Sequence, residues 1–418
     1  MVPRVATPLL PYLLTAISPL AQRTNVKCMT TASAGHERWM LHALALAERG
    51  RLSTAPNPWV GCVIVAADGT KVLAEGFHER KGGPHAEAAA LADAAARGVS
   101  REQMADATCY VTLEPCHRGP GKTTPPCDEA LVASGLRNMH IALVDPDPTF
   151  GCAGVEHLRE HGVTVTVGVG AAAVAASLRP YLHQRRTKLP YVVLKVAAAA
   201  DGSIACADGT SQWITGVQAR SHAQVLRASS QAILVGSGTA VADSPRLNIR
   251  LQAEQLPKGW LPPSGSPLRV VLDARGRFAS GPLLDVSVAP TVIFTTATSQ
   301  RSAARLAWEQ AGVEVCEVPP GKDASGVDIH AVLADLGARG IIQLMVEGGG
   351  AVHGTFLSTA NAAQQLRLYV GATALGSSAF RWIRSPLAST ISEAPRWRLL
   401  GVEQLGDDVC LDYALGSG

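Results

Sequence analysis

Three residues of metal-ligand type and one acid stand in an order that can do hydrolytic chemistry. His85 and Glu87 sit in Pro84-His85-Ala86-Glu87, Cys116 follows Pro115, and Cys127 follows Pro125-Pro126. One imidazole and two thiolates give three protein ligands. A tetrahedral zinc then keeps its fourth position for water, the arrangement of a catalytic rather than a structural site. Zinc brings the pKa of that water towards neutrality. Glu87, two residues past a ligand and not itself one, is placed to take the water's proton and return it to a leaving amine. His85 and Cys127 fall at expected helix starts, and at Cys127 the positive helix end favours thiolate. Each piece alone is weak: His-x-Glu triplets are common, and a lone Cys is more often a small core residue. Their order, with a helix and then a strand between them, is what points to a site.

A second candidate lies far downstream. The apolar run Ile341 to Val346 leads into Glu347-Gly348-Gly349-Gly350, and a helix is expected from Ala351 onward. A strand, a glycine loop and a helix start expose backbone N–H groups to an anion. The dinucleotide fingerprint is incomplete, because position 353 is His where its last Gly would fall. On these residues alone a phosphate site and a plain tight turn both stay open.

The elements that must position these groups follow from periodicity. Apolar residues recur at helical spacing from Arg38 to Arg49, with Gly50 as a stop. Trp59 to Ala66 and Lys71 to Ala74 read as a hairpin around Asp68-Gly69. Helices are expected at His85 to Ala96, Cys127 to Ser134 and Val155 to His161, and strands at Thr108 to Leu113, Met139 to Val144 and Val163 to Val167. Alternating β and α units predict a layered α/β domain over 36–178. Arg179 to Pro190 is basic and polar and suits a linker, 179–190. Beyond it Tyr191 to Val196, Ala232 to Val235, Arg269 to Leu272, Thr291 to Thr295 and Ile341 to Val346 read as strands. With helices at Arg301 to Ala311 and Ile329 to Ala338 they predict a second α/β domain over 191–418. Leu256 to Pro267, rich in Pro, Gly and Ser, is expected to be an exposed loop.

Composition agrees. The 418 residues allow two or three domains, and 47% hydrophobic against 17% charged excludes a disordered or fibrous chain. A net charge of +3 and 5% aromatics argue against a nucleic-acid partner. Past the N-terminus no apolar run reaches the length of a membrane span. Nine scattered cysteines argue for a reducing compartment, with metal or catalysis as their use. Residues 1–35 contain no Asp or Glu, carry Arg4, Arg23 and Lys27, and are rich in Ser, Thr and Ala near their end. Such a leader reads as an organelle transit peptide, plastid or other. A secretory segment broken by Pro8, Pro11 and Pro19, or a true start at Met29, are the alternatives; without an address the chain would be cytoplasmic.

His-x-Glu followed by Pro-Cys is the signature of zinc nucleobase deaminases. The wider set is similar to one family in particular. Pro56-Asn57-Pro58-Trp59-Val60-Gly61-Cys62-Val63-Ile64-Val65, Gly76-Phe77-His78, Thr112-Leu113-Glu114-Pro115-Cys116, Thr124-Pro125-Pro126-Cys127 and Asp145-Pro146-Asp147-Pro148 resemble the bifunctional deaminase–reductases of riboflavin biosynthesis. In the second half Lys195-Val196-Ala197, Asp201-Gly202, Ser211-Gln212-Trp213-Ile214-Thr215, Gly236-Ser237-Gly238-Thr239 and Asp243-Ser244-Pro245 follow the same family in order. The resemblance implies a cytidine-deaminase-like α/β/α layer domain followed by a dihydrofolate-reductase-like α/β domain. It implies deamination of a diaminopyrimidinone carrying a phosphoribosylamino group, then reduction of the ribosyl group to ribityl with NADPH. It implies one zinc per chain, NADPH contacts at Ala197, Trp213, Thr239, Asp243 and the loop Gly349, Gly350, Ala351, Val352, His353, Gly354 and Thr355, and substrate contacts at Asn57, Lys122, Ser211, Arg227, Leu247, Arg250 and Glu347. The partners expected are thus the small phosphoribosyl pyrimidine and further copies of the chain, a homo-oligomer, with no nucleic acid and no membrane. Arg227 and Arg250 suit a phosphate, since guanidinium forks match its oxygens. For the acid that helps the sugar ring open, Asp243 and Lys195 both remain candidates.

This chain departs from the family in places. Its cysteines stand eleven residues apart, with His117 directly after Cys116 and two extra residues in the loop. Ala199-Ala200 replaces a Ser-Leu pair, and Gln364-Gln365 stands where acids are usual. Two rivals are an RNA-acting adenosine or cytidine deaminase, opposed by the cysteine spacing and low charge, and a non-catalytic scaffold, opposed by a three-ligand site with Glu87 beside it.

Overall fold

The computed structural model of the chain describes residues 31–118, 125–147, 151–322 and 326–416. Lys122 and residues 1–30 of the leader lie outside the described residues. Two α/β units are built, one on each side of residue 190.

The first unit runs α1 (Thr31–Arg49), β1 (Gly61–Val65), β2 (Val72–Phe77), α2 (Ala86–Ala96), α3 (Arg101–Asp106), β3 (Thr108–Leu113), α4 (Cys127–Ala133), β4 (Asn138–Leu143), α5 (Ala153–Glu160), β5 (Thr164–Val167), α6 (Ala171–Ser177) and α7 (Arg179–Thr187). Its sheet has the order β2-β1-β3-β4-β5. β1 is antiparallel to β2 and β3, whereas β3, β4 and β5 are parallel. β1 is buried throughout and β3 at all but its first residue, Thr108, as a sheet covered on both faces requires. α1 begins at Thr31, inside the stretch assigned to the leader, so the ordered unit starts earlier than 36.

The linker reading is corrected. Arg179 to Thr187 forms a helix with Pro180 in its first turn, which a missing N–H tolerates, and Arg185 and Arg186 in its last turn, where cations meet the negative helix end. Pro180, Tyr181, Leu182 and Gln184 are buried, so α7 is a packed helix and not an exposed linker, and it meets both α6 and β6, whose range is Tyr191–Ala199.

The second unit runs β6 (Tyr191–Ala199), β7 (Ser203–Ala205), α8 (Val217–Ala228), β8 (Ala232–Gly236), α9 (Ser237–Asp243), β9 (Leu268–Leu272), β10 (Thr291–Thr295), α10 (Ala303–Gln310), β11 (Glu314–Glu317), α11 (Ile329–Ala338), β12 (Gln343–Val346), α12 (Gly350–Ser358), β13 (Gln365–Gly371), β14 (Phe380–Arg381), β15 (Arg398–Leu405) and β16 (Asp408–Ala414). Nine strands make one sheet in the order β11-β10-β9-β8-β12-β6-β13-β16-β15. The seven strands from β11 to β13 are parallel, and the β15–β16 hairpin closes one edge antiparallel. β8 and β12 are neighbours, so the turns that leave their carboxyl ends lie side by side. In open parallel sheets that rim is where ligands bind.

The units touch. Ile342, from the second unit, belongs to the first hydrophobic core. The 256–267 loop is irregular as expected, yet it is not free in solvent. Leu261 N donates to Arg49 O at 2.8 Å, Arg49 Nε donates to Gly259 O at 3.1 Å, and Leu261 is partly buried against the first core. No helix among the described residues is long and apolar enough to cross a membrane.

Candidate functional site

His85 caps the N-terminus of α2, Cys127 opens α4, and Cys116 lies just past the end of β3. Three separate elements thus converge. His85 Nδ1 is 3.5 Å from both Cys116 Sγ and Cys127 Sγ, and the ligand atoms all lie within 4.8 Å of one another. Tetrahedral zinc with ordinary Zn–S and Zn–N bonds sets its sulfur and nitrogen ligands about 3.6 Å apart. The donor set and its spacing therefore fit zinc. The Cys127 N–H points to Cys116 Sγ at 3.5 Å. The neighbouring Cys127 thiol, with His85 beside it, holds Cys116 well below the ordinary thiol range.

Glu87, in the first turn of α2, is 3% exposed. Burial pushes its carboxyl up to about 7, the range in which a proton can be both taken and returned.

Two supports were not singled out from sequence. His78 Nδ1 donates to Pro84 O at 2.8 Å, which leaves Nε2 as the acceptor for the Asn57 amide at 3.3 Å. Burial lowers the pKa of His78 and so keeps it neutral, and its ring meets that of His85 edge-on at 5.3 Å. Asn57 is held in this way by His78, whose ring borders that of His85. Behind Cys116, the buried Glu114 accepts N–H groups from Asp145, Cys152 and Val155, each at 3.1 Å. Gly154 lies so close under Pro115 that a Cβ there would strike its carbonyl oxygen, so this approach requires glycine.

In the second unit a cavity of about 310 Å³ is lined by Lys195, Ala197, Trp213, Arg227, Arg250, Glu347 and Tyr369, among others. Five residues expected to bind substrate or cofactor meet there. Arg227 donates to Glu347 at 2.5 Å and to Asn248 O at 3.0 Å. Burial would raise the Glu347 carboxyl, but Arg227 and Lys195 outweigh it and hold its pKa low. Four cations, Lys195, Arg220, Arg227 and Arg250, against one carboxylate leave a positive excess suited to phosphate. Trp213 also borders a neighbouring cleft of about 680 Å³ shared with Ser211, Thr373 and Asp408.

The two glycine turns lie where β8 and β12 end. Glu347 N donates to Leu234 O at 2.8 Å, and Gly349 faces Thr239 Oγ1 across the gap. A Cβ on Gly348 would sit 2.5 Å from Val352 Cβ, so the turn closes onto α12 only with glycine. His353 N is the first to bond back, to Gly349 O, which leaves the N–H groups of Gly350, Ala351 and Val352 for an anion. That cradle fits a dinucleotide phosphate.

Three expected residues sit differently. His353 is 2% exposed and edge-on to Trp382, so its ring belongs to the interior of α12 and only its backbone faces the turn. Leu247 is buried in the core with Val193 and Leu226, which leaves its backbone, at φ +49°, for any contact. Asp243 is exposed at the end of α9 and lines neither cleft. Arg277 was missed: its guanidinium donates to Ser237 Oγ at 2.9 Å, placing a cation beside the α9 turn.

A histidine–dithiolate centre with a buried acid, joined to a parallel-sheet domain with a phosphate-type cradle, defines a zinc deaminase fused to a dinucleotide-dependent reductase. The comparisons agree. Residues 33–143 match the cytidine and deoxycytidylate deaminase zinc-binding region, and residues 190–411 match the RibD C-terminal domain. The chain is 43% identical over 324 residues to the riboflavin biosynthesis protein RibD of Chlamydia muridarum, covering 76% of this chain and 80% of that one. It is 36% identical over 379 residues to RibD of Escherichia coli, covering 90% and 98%. RibD of Acinetobacter baumannii superposes with a TM-score of 0.77 at 33% identity, over 92% of this chain and all of that one. A Thermotoga maritima structure, described as a diaminohydroxyphosphoribosylaminopyrimidine deaminase/5-amino-6-(5-phosphoribosylamino)uracil reductase, gives 0.77 at 30% identity over 92% of this chain and all of that one. The chain belongs to the RibD family: it is a bifunctional enzyme of riboflavin biosynthesis, with a zinc-dependent deaminase and an NADPH-dependent reductase. The comparisons lend no support to a transit peptide in the leader.

Proposed function

We propose that the first domain deaminates a diaminopyrimidinone bearing a phosphoribosylamino group and that the second reduces the ribosyl group of that product. The observation that carries this reading is the coexistence in one chain of the His85–Cys116–Cys127 centre beside Glu87 and the cationic Lys195–Arg227–Arg250 cavity beside the glycine cradle. His85, Cys116 and Cys127 would hold the zinc, which when bound supplies Lewis acidity to water near neutral pH. Glu87 takes a proton from that water and hands it to the departing amino nitrogen. Asn57, oriented by His78, holds the pyrimidine edge. In the reductase half Arg227 and Arg250 bind the phosphate, while Ala197, Trp213, Thr239 and the 349–355 backbone seat the NADPH, which supplies the reducing electrons. Of the two acid candidates we assign Lys195. It lines the cavity with Arg227 and Glu347 and burial lowers its pKa, so it gives up a proton more readily than a free ammonium. The chain also self-associates in this proposal; sedimentation of the full chain as a single monomeric species would overturn that.

The division of labour is tested by a fragment from Leu189 to Gly418. It should consume NADPH, followed by absorbance, only when given the deaminated ribosylaminopyrimidine. The fragment loses the partners of Ile342 and Leu261, so it is expected to melt at lower temperature than the full chain. A fragment folded by circular dichroism that oxidises NADPH with both substrates, or with neither, would sink the assignment.

A further inference from the structure

We infer that the deaminase domain holds a second divalent-metal site, built from His117, Asp128 and His157 and separate from the His85–Cys116–Cys127 centre. The three residues come from different elements: the segment after β3, the first turn of α4, and α5. Asp128 is fully buried, an expensive place for a carboxylate without cationic company. Its Oδ2 lies 2.5 Å from His117 Nδ1 and 3.0 Å from His157 Nδ1, while its Oδ1 accepts the Glu129 N–H at 2.9 Å. The two imidazoles lie with centroids 5.2 Å apart and planes tilted by 50°. His157 Nδ1 is buried and close to the carboxylate, yet makes no aligned hydrogen bond among the described residues. A metal ion asks for distance to a lone pair, not for an N–H aimed at an oxygen. The three ligand atoms lie within 4.8 Å of one another, and seating an ion among them parts nitrogen and oxygen to about 3.4 Å, a shift of less than an ångström.

The donor set fixes the class of ion. Two imidazoles and one carboxylate suit a first-row divalent transition metal, with zinc and cobalt as ready probes. Magnesium and calcium want more oxygen. The His117 and His157 side chains are 30% and 19% exposed, so an ion can enter from solvent. The neighbouring Arg118–Glu129 fork, with bonds of 2.9 and 2.8 Å, pins the same segment to α4. The ion would add a second tie between the segment that carries Cys116 and the helix that carries Cys127.

Cobalt titration of the full chain, stripped of metal, tests this. The first equivalent should produce thiolate-to-cobalt charge transfer in the near ultraviolet. A second equivalent should add only the weak visible bands of a nitrogen–oxygen site. His157→Ala should keep the first and bind the second at least ~10–100-fold more weakly, since loss of a mere outer-shell partner already costs that much. Saturation of the wild-type chain at one equivalent overturns the site and leaves the cluster as a carboxylate sharing a proton with two histidines. So does a second equivalent that survives both His157→Ala and Asp128→Asn. Should His157→Ala fail to take up even the first equivalent, His157→Asn, which keeps a polar side chain there, is read in its place.

Discussion

Glu87→Gln should leave the zinc in place and slow deamination about 10²–10⁴-fold, the usual worth of a positioned proton-transfer group. Gln has the shape of the acid it replaces, so the buried pocket at the start of α2 stays filled. Glu87 is not among the clustered ligand atoms, and the metal content should therefore remain at one per catalytic centre. What is lost is a carboxyl that burial has lifted to about 7 and that can accept and return a proton near neutral pH. Reduction of the already deaminated substrate, carried by the other domain, should run at the wild-type rate. Cys116→Ser is the contrast: it removes a ligand, so zinc and ammonia release should go together. Metal analysis with an ammonia assay separates the cases. A Glu87→Gln protein that has lost its zinc, or that deaminates at full speed, ends the proton-carrier role.

Lys195→Met should do the converse, slowing NADPH oxidation by about 10²–10⁴-fold with deamination unchanged. Met keeps much of the length of the lysine stem beside Tyr369 and removes only the ammonium. Arg227 and Arg250 are left to hold the phosphate end, so KM should move far less than kcat. Asp243→Asn, at an exposed helix end outside both clefts, should be close to neutral for the same step. The measurement is the steady-state rate of absorbance loss with the deaminated substrate. Full reductase activity in Lys195→Met, or a collapse in Asp243→Asn, reverses the assignment.

How much of this was legible in the sequence depends on where the information sits along the chain. β3, β10 and α11 were read to the residue, because their apolar runs end at sharp punctuation. The grouping of His85, Cys116 and Cys127 was readable because ligand type and local motif single them out without knowing the fold. α7 was not, since Tyr181 and Leu182 are too few to register a helical period among arginines, and the core that buries them comes from elsewhere. β13, β15 and β16 escaped for a related reason. β15 is largely exposed, and its place in the sheet comes from pairing with β16 rather than from its own pattern. His78 and Glu114 act through hydrogen bonds to backbone groups brought close only by folding. Asp128 was passed over because its partners, His117 and His157, lie on either side of it in sequence with a strand between. Asp243 and Lys195 were indistinguishable as letters; only the cavity tells them apart.

The placement of Ile342 has a consequence for synthesis. It belongs to the core of the amino-terminal unit, yet the ribosome adds it about 160 residues after Leu182. At roughly 5–20 residues per second the finished deaminase chain waits on the order of 10–30 s for that side chain. For that interval one apolar position of that core stands unfilled. The amino-terminal unit therefore completes its core only after β12 has been made, and a translational pause between α7 and β12 lengthens that wait.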